Sequence, residues 1–288
     1  MPSERIKLSS GIQLEVDHTE RPGAPLVVLI PGAGAPLEFW PAAFCRALSE
    51  SGYSTLRYCH RDTGLSDHFD APYPIDALLD DLWALLKQIN GETPVHLVGH
   101  SMGGYMGLLA MTGHPERLAS VAAISSGPSA TPARYAELGM SLPAPETWQI
   151  LMENAPTGQF EQDLAGWMKS WRFLNGSCAF DENRARAYTE ALYRGDPRNA
   201  QVATHHIHAM GTLPNDLPEK LARSQTPLCV LHGEEDPLVP FDHGKALASV
   251  ARASSFFPLK KAGHMFFNAE TWDHILRALR GHLQTSEK

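Results

Sequence analysis

A serine flanked by two glycines is the clearest sign of chemistry in this sequence. The run from Val95 to Gly104 contains G-x-S-x-G, in which Gly99 and Gly103 stand two positions either side of Ser101. A serine in a sharp turn between a strand and a helix holds strained backbone angles that lift its hydroxyl clear of the sheet, and only small flanking residues allow the strand and helix to approach so closely. The aliphatic run before the motif and the helix-forming residues after it fit this turn. We therefore predict that Ser101 is a nucleophile.

A serine hydroxyl is a weak nucleophile until a base takes its proton, and the order expected along the chain is serine, acid, histidine. Asp236 stands in the turn after the aliphatic run 227–231, and His264 follows the last predicted strand. The carboxyl ends of parallel strands are where such sheets place their sites. The alternatives left open are neighbouring residues of the same types: Glu234 and Glu235 as the acid, and His232 and His243 as the base.

Two hydrogen-bond donors are needed for the oxyanion of an acyl-transfer intermediate. One is expected to be the backbone N–H of Met102, directly after the nucleophile, where a helix N-terminus also favours negative charge. The other is expected in the glycine-rich loop after the run 26–30, and we assign it to the N–H of Ala33 because Gly32 and Gly34 let that backbone come close. The alternative for this loop is an ordinary glycine-rich turn.

Several large side chains are candidates for contact with a substrate. Those beside the catalytic loops are Trp40, Tyr105, Met265 and Phe266. Others lie in a predicted helical insertion: Trp148, Trp167, Trp171, Phe173 and Tyr188. Trp167 and Trp171 are included as pocket residues, although aromatic residues at helical spacing commonly pack helices together. The histidines of the insertion resemble a metal site in composition only: His205, His206 and His208. Neither a metal nor an organic cofactor is predicted.

The elements that must position these residues alternate between strands and helices. Strands are predicted at 12–16, 26–30, 54–58, 95–98, 121–124, 227–231 and 254–258. Helices are predicted at 38–50, 75–89, 102–112 and 270–283. This alternation predicts an α/β fold with a mainly parallel central sheet flanked by helices.

The alternation stops between residues 127 and 215, which read as helical throughout. Leu164, Trp167, Met168 and Trp171 form one helical stripe, Asp181 is placed to cap a helix, and Asp196-Pro197 is placed to begin another. The expected organisation is a core of residues 1–126 and 216–288 with a helical lid at 127–215.

Composition excludes several classes of function. Among 288 residues, Lys and Arg number 24 and Asp and Glu 32, which gives a net charge of −8. This balance argues against nucleic acid or an anionic membrane as the main partner. No apolar run reaches the roughly 18 residues of a membrane span, and the polar N-terminus lacks a signal core. Four widely spaced cysteines favour a reduced cytoplasmic protein, expected as a monomer or homodimer.

Taken together, these motifs resemble the α/β-hydrolase superfamily of the serine esterase type. The resemblance lies in the loop 30–36, the turn 99–103, the acid turn 233–240 and Gly263-His264. Two further stretches, 60–66 and 243–247, are similar to the aclacinomycin methylesterase branch, whose members act on a polyketide methyl ester. The sequence departs from many members by carrying Pro31 in place of a histidine and Cys59 in place of an aspartate.

The function expected from these residues is hydrolysis of carboxylic esters of small or medium molecules, with Ser101, His264 and Asp236 as the triad. The same triad is compatible with cleavage of a C–C bond, a lactone or an amide, or with a cofactor-free perhydrolase. A third reading is a hydrolase fold that serves as a non-catalytic ligand receptor.

Overall fold

The computed structural model describes residues 3–194 and 203–286. Its strands are β1 (Glu4–Lys7), β2 (Gln13–Thr19), β3 (Leu26–Ile30), β4 (Ser54–Tyr58), β5 (Val95–His100), β6 (Leu118–Ile124), β7 (Leu228–Gly233) and β8 (Ser254–Leu259). They form one sheet in the order β1-β2-β4-β3-β5-β6-β7-β8. The pairs β1–β2 and β2–β4 are antiparallel and the other five pairs are parallel. The predicted α/β class with a mainly parallel sheet is confirmed.

Helices connect these strands and fill the interval between β6 and β7. They are α1 (Ala42–Glu50), α2 (Ile75–Asn90), α3 (Met102–Gly113), α4 (Tyr135–Leu138), α5 (Pro145–Glu153), α6 (Phe160–Leu174), α7 (Glu182–Leu192), α8 (Ala203–Met210), α9 (Leu217–Leu221), α10 (Phe241–Val250) and α11 (Ala269–Ser286). None of the helices in the described part of the chain combines the length and apolar character needed to cross a bilayer.

Each central strand is buried on both faces, as β3 illustrates. Val27 and Leu29 face one core, which they share with α1 and α11, whereas Val28 and Ile30 face a second core with α2 and α3. Side chains alternate between the two faces of a strand, so a strand covered on both sides needs an unbroken aliphatic run. This explains the composition of the run 26–30.

The predicted helix 38–50 is wrong in its first turn. A 3-10 turn at Leu37–Phe39 is followed by Trp40 in an extended conformation, and α1 begins only after Pro41. The proline ring disfavours the helical conformation for the residue before it, and Trp40 is that residue. The structure also contains β1, α9 and α10, at positions where no individual strand or helix was predicted.

The described residues between β6 and β7 form six helices, α4 to α9. Asp181 caps α7 by accepting a hydrogen bond from the Arg184 N–H at 3.0 Å, so that predicted cap is confirmed. Trp171 and Leu174 of α6 join the core that contains α1 and α11. Asp196-Pro197 lies outside the described residues.

The carboxyl ends of the parallel strands meet at one edge of the sheet. The loop 31–36 leaves β3 there, Ser101 follows β5, and the loops that carry Asp236 and His264 follow β7 and β8. The topology therefore brings all four segments to the same edge.

Candidate active site

The turn that carries Ser101 depends on a backbone fit that only glycine allows. Ser101 separates β5 from α3 with φ 51° and ψ −119°, a conformation that residues with side chains rarely adopt. A Cβ on Gly99 would overlap the carbonyl oxygen of Gly103, and a Cβ on Gly103 would overlap that of Ile30. The two glycines thus let β5, α3 and β3 meet around a strained serine.

Asp236 and His264 form a buried hydrogen-bonded pair. The Nδ1 atom of His264 lies 2.8 Å from Oδ2 of Asp236. The other carboxylate oxygen accepts from the backbone N–H groups of Leu238 and Val239, at 2.9 and 2.8 Å. Burial alone would raise the pKa of Asp236, but its interactions with His264 and His232 and the hydrogen bond from the Val239 N–H together hold the pKa below its ordinary value. The carboxylate is therefore ionised at neutral pH and oriented at both oxygens.

His100 ties the turn of Ser101 to the loop of His264. Its Nε2 atom donates to the backbone carbonyl of His264 at 2.9 Å, and the two rings lie 4.9 Å apart. The ring of Phe39 also stacks on His100, with the ring centroids 4.3 Å apart. Burial, with a contribution from His264, lowers the pKa of His100 to about 3, so its ring is neutral. The residue beside the nucleophile thereby fixes the position of the candidate base.

The Ser101 side chain is half-buried at this edge. Across residues 3–194 and 203–286, its hydroxyl makes no hydrogen bond. Catalytic hydrogen bonds are often long in an enzyme without substrate and shorten when substrate binds.

The loop after β3 lies directly against the nucleophile. A Cβ built on Gly32 would stand 3.3 Å from Cβ of Ser101. Ala33 is exposed, and no acceptor for its N–H is found in the described ranges. The N–H of Met102, the first residue of α3, likewise lacks an acceptor there, as expected at a helix N-terminus. Two unpaired donors therefore lie on the two chain segments that meet at the serine.

The alternative acids and bases have other partners. Glu235 accepts from the N–H and hydroxyl of Ser177, both at 2.7 Å, and Glu234 is exposed. His232 bonds to the carbonyl of Val239 at 2.7 Å, and His243 bonds to that of Ser141 at 2.8 Å.

Met265 and Phe266 line a cavity of about 200 Å³ between α7 and α11. Its other walls include aromatic side chains and two charged residues at positions 38 and 184: Glu38, Phe39, Arg184, Tyr188, Phe267 and Trp272. Phe39 also stacks on His100, so this cavity adjoins the candidate site from the side of α11.

The remaining pocket candidates lie in different surroundings. Trp40 is fully buried, with its ring 5.7 Å from those of Phe44 and Trp272, as in a core residue. Tyr105 is buried and donates to the carbonyl of Ser129 at 3.2 Å. Trp167 and Trp171 stack on each other at 4.6 Å within the helical segment.

Two of the three histidines noted on α8 contact the core at separate places. His205 lies 3.1 Å from Oδ2 of Asp62. His206 accepts from the Gly34 N–H at 2.8 Å and lies 3.2 Å from the carbonyl of Arg61. No group of three ligating side chains within the described ranges is arranged to hold a metal ion.

Sequence reasoning missed the contributions of His100 and His206. His100 is one of two buried histidines in β5, the other being His96, and a buried polar group needs a partner. That was an available signal. His206 gave none, because its partner Gly34 is 172 residues away along the chain.

Comparison with known proteins places this fold in a family. Residues 25–271 match the alpha/beta hydrolase fold family. The chain belongs to the α/β-hydrolase family. The resemblance to this superfamily that was inferred from the motifs is thereby confirmed.

Relatives of this α/β hydrolase include enzymes of more than one specificity. The chain is 29% identical over 256 residues to the rhodomycin D methylesterase DauP of Streptomyces sp. (strain C5), and this alignment covers 84% of this chain and 85% of that protein. It is 30% identical over 258 residues to the putative carbamate hydrolase RutD of Pseudomonas savastanoi pv. phaseolicola (strain 1448A / Race 6), covering 87% and 90%. The crystal structure of the enol-lactonase from Burkholderia xenovorans LB400 shares the fold, with a TM-score of 0.76 at 20% identity and coverage of 98% and 100%. The two sequence relatives, DauP and RutD, support hydrolase activity, whereas the lactonase structure shows the shared fold.

Proposed function

We propose that this α/β hydrolase is a serine esterase in which Ser101 is the nucleophile, His264 the general base and Asp236 the acid. The observation that carries the proposal is the 2.8 Å hydrogen bond from His264 to Asp236. It is formed in a loop that His100 ties to the strained turn of Ser101. Asp236 holds the imidazole in the tautomer that leaves Nε2 free to accept a proton.

In the first half of the proposed reaction, Oγ of Ser101 attacks the ester carbonyl carbon and His264 takes the hydroxyl proton. The carbonyl oxygen becomes an oxyanion, which the N–H groups of Ala33 and Met102 stabilise. The C–O bond to the alcohol then breaks, and His264 returns the proton to the leaving oxygen. An acyl-enzyme and a free alcohol result.

In the second half, water attacks the acyl carbon while His264 takes one of its protons. The same two N–H groups stabilise the new oxyanion. The bond to Ser101 breaks, His264 returns the proton to Oγ, and the carboxylic acid leaves. The overall change is ester plus water to acid plus alcohol, and no metal or organic cofactor takes part.

We propose esters of small or medium molecules as the substrates, with residues 127–215 as a lid over the site. The similarity to a rhodomycin D methylesterase supports a carboxylic ester substrate. We also propose a cytoplasmic location, because the four cysteines are widely spaced and three of them are buried as free thiols.

A carbamate is the second candidate substrate. The relative that favours it is the putative carbamate hydrolase, with which the chain shares 30% identity over 87% of its length. Attack by Ser101 on a carbamate carbonyl needs the same base and the same oxyanion donors. The two candidates therefore differ in the leaving group and not in the catalytic residues.

Turnover of p-nitrophenyl esters by Ser101→Ala tests the proposal. Removal of the nucleophile is expected to lower kcat by about 10⁶-fold, by analogy with serine hydrolases in general. Circular dichroism provides the control for folding. Near-wild-type turnover by a folded Ser101→Ala would refute the mechanism. Separately, turnover of methyl esters, lactones and carbamates by the wild-type protein would rank these classes as substrates.

A further inference from the structure

The peptide between Gly32 and Ala33 carries the N–H that the proposed reaction needs. The carbonyl of Gly32 accepts a hydrogen bond from the N–H of Ala35 at 3.2 Å. In a trans peptide the C=O and N–H groups point in opposite directions, so this bond directs the N–H of Ala33 away from Ala35. What holds the neighbouring peptides thus decides whether the donor stays in place.

The preceding peptide, between Pro31 and Gly32, is held by His60. The Nε2 atom of His60 lies 3.1 Å from the carbonyl oxygen of Pro31, and the ring is almost fully buried. Burial lowers the pKa of His60 to about 4, so the ring is neutral at neutral pH and Nε2–H is the donor.

The peptide after it is held by His206, which comes from α8 in the helical segment. The N–H of Gly34 donates to Nδ1 of His206 at 2.8 Å, and Nε2 of the same ring donates to the carbonyl of Arg61 at 3.2 Å. An N–H group can only donate, so Nδ1 must carry no proton. Burial lowers the pKa of His206 to about 3, which agrees with a neutral ring.

The two rings support each other. His60 and His206 meet edge to face with their centroids 5.6 Å apart, and both are buried against the loop 31–36. Three consecutive peptides of this loop are therefore each held by a hydrogen bond, and one of these bonds comes from α8 in the helical segment. Gly34 has φ 67°, so the backbone at this point is in the left-handed region that glycine favours.

We propose that His206 is a positioning residue for catalysis: through the N–H of Gly34 it holds the oxyanion loop in the orientation that presents the N–H of Ala33 to the reacting oxygen. This inference rests on the proposed function, because the orientation matters only where an oxyanion forms beside Ser101. It makes the seating of α8 on the core a condition for full activity.

Three substitutions at one position separate the contacts of this ring. In His206→Asn, Oδ1 takes the place of Nδ1 and still accepts from Gly34. In His206→Gln, the amide reaches the Nε2 position, so the donor to Arg61 is kept and the acceptor for Gly34 is lost. His206→Leu removes both. His205→Leu is the matched control, because it removes the contact to Asp62 from the same helix without touching the oxyanion loop.

The measurements are kcat and KM for a p-nitrophenyl ester and the affinity for a trifluoromethyl ketone, which forms an oxyanion on the serine. Loss of an oxyanion donor lowers kcat by about 10²–10³-fold, so a displaced donor is expected to lower it by roughly 10- to 100-fold. This loss is expected in His206→Gln and His206→Leu, with KM changed less than about twofold and ketone affinity reduced in parallel. His206→Asn should keep kcat within about threefold of wild type.

Equal kcat values for His206→Asn and His206→Gln would overturn the inference, as would a loss in His205→Leu as large as in His206→Gln. The Asn and Gln variants keep a polar side chain, so their comparison stands even where His206→Leu fails to fold. Failure of the proposed function gives a different result, because Ser101→Ala would then retain activity. An inactive Ser101→Ala with full activity in His206→Gln would refute the positioning role alone.

Discussion

Two parts of the site are held in place by different forces. The turn at Ser101 is fixed by steric fit, since its glycines leave no space for a Cβ between β5, α3 and the end of β3. The oxyanion and base loops are instead fixed by hydrogen bonds with buried side chains: His206 accepts from the N–H of Gly34, and His100 donates to the carbonyl of His264. A site fixed by steric fit fails when atoms are added, and a site fixed by hydrogen bonds fails when a partner or a proton is changed.

Asp236→Asn tests the hydrogen-bonded part with the largest expected effect. The amide can still accept from Leu238 and Val239, so the loop should keep its shape. Its NH₂ group would impose the wrong tautomer on His264, and kcat is expected to fall about 10⁴-fold. Steady-state kinetics measures the loss, and thermal unfolding checks that stability is little changed. A loss below about tenfold would argue against a triad role for Asp236.

Gly99→Ala tests the sterically fixed part. The new Cβ would overlap the backbone of Gly103, which cannot move without separating α3 from β5. Unfolding in urea is expected to show a loss of about 3 kcal/mol or more. Gly113→Ala is the matched control in α3, because a Cβ there meets nothing within 4 Å. Equal stability of the two variants would contradict the steric account.

Acid is expected to destabilise the part of the site that is held by hydrogen bonds, because its buried histidines would have to take up protons. Burial lowers the pKa values of three histidines that bond to these loops: His60 to about 4, and His100 and His206 to about 3. In the unfolded chain the pKa of each histidine is about 6.5. Between these values the unfolded chain binds more protons, so the free energy of unfolding falls as the pH falls, by up to about 1.4 kcal/mol per pH unit for each histidine.

Urea unfolding at pH 7, 6 and 5 measures this slope. His206→Asn lacks one of the titrating rings, and its slope should be correspondingly shallower. A free energy of unfolding that stays constant from pH 7 to pH 5 would show that these rings are not held neutral by the fold.

Gly32→Ala is expected to have the smallest effect. Its Cβ would lie 3.1 Å from Nδ1 of His100 and 3.3 Å from Cβ of Ser101, so neighbours need to move by only a few tenths of an ångström. A loss of about 1 kcal/mol or less is expected in the free energy of unfolding. Destabilisation as large as that of Gly99→Ala would erase the distinction between the two parts of the site.

The sequence predicts the turn at Ser101 because everything that defines it lies within five residues. The sheet is predictable for a similar reason, since strands buried on both faces carry unbroken aliphatic runs. Pro41, which ends the extended segment before α1, was a local signal for where that helix begins. The apolar residues on both sides of it nevertheless led to a predicted helix that begins too early. Helix α10 begins after Pro240. The loop before it is rich in residues typical of turns, so no helix was predicted there.

The hydrogen bonds that hold the loops could not be predicted in this way. His100 and the carbonyl of His264 are 164 residues apart, and no periodicity relates them. Which of the 14 histidines contacts the oxyanion loop depends on how α8 packs on the core, and that packing is a property of the whole fold.

The most direct test of the central claim is the mass of the intact protein after reaction with a fluorophosphonate, followed by peptide mapping. One adduct per chain is expected, located on Ser101, with no adduct in Ser101→Ala and strongly slowed labelling in His264→Ala. Labelling of another residue, or labelling of Ser101 at the same rate without His264, would contradict the claim.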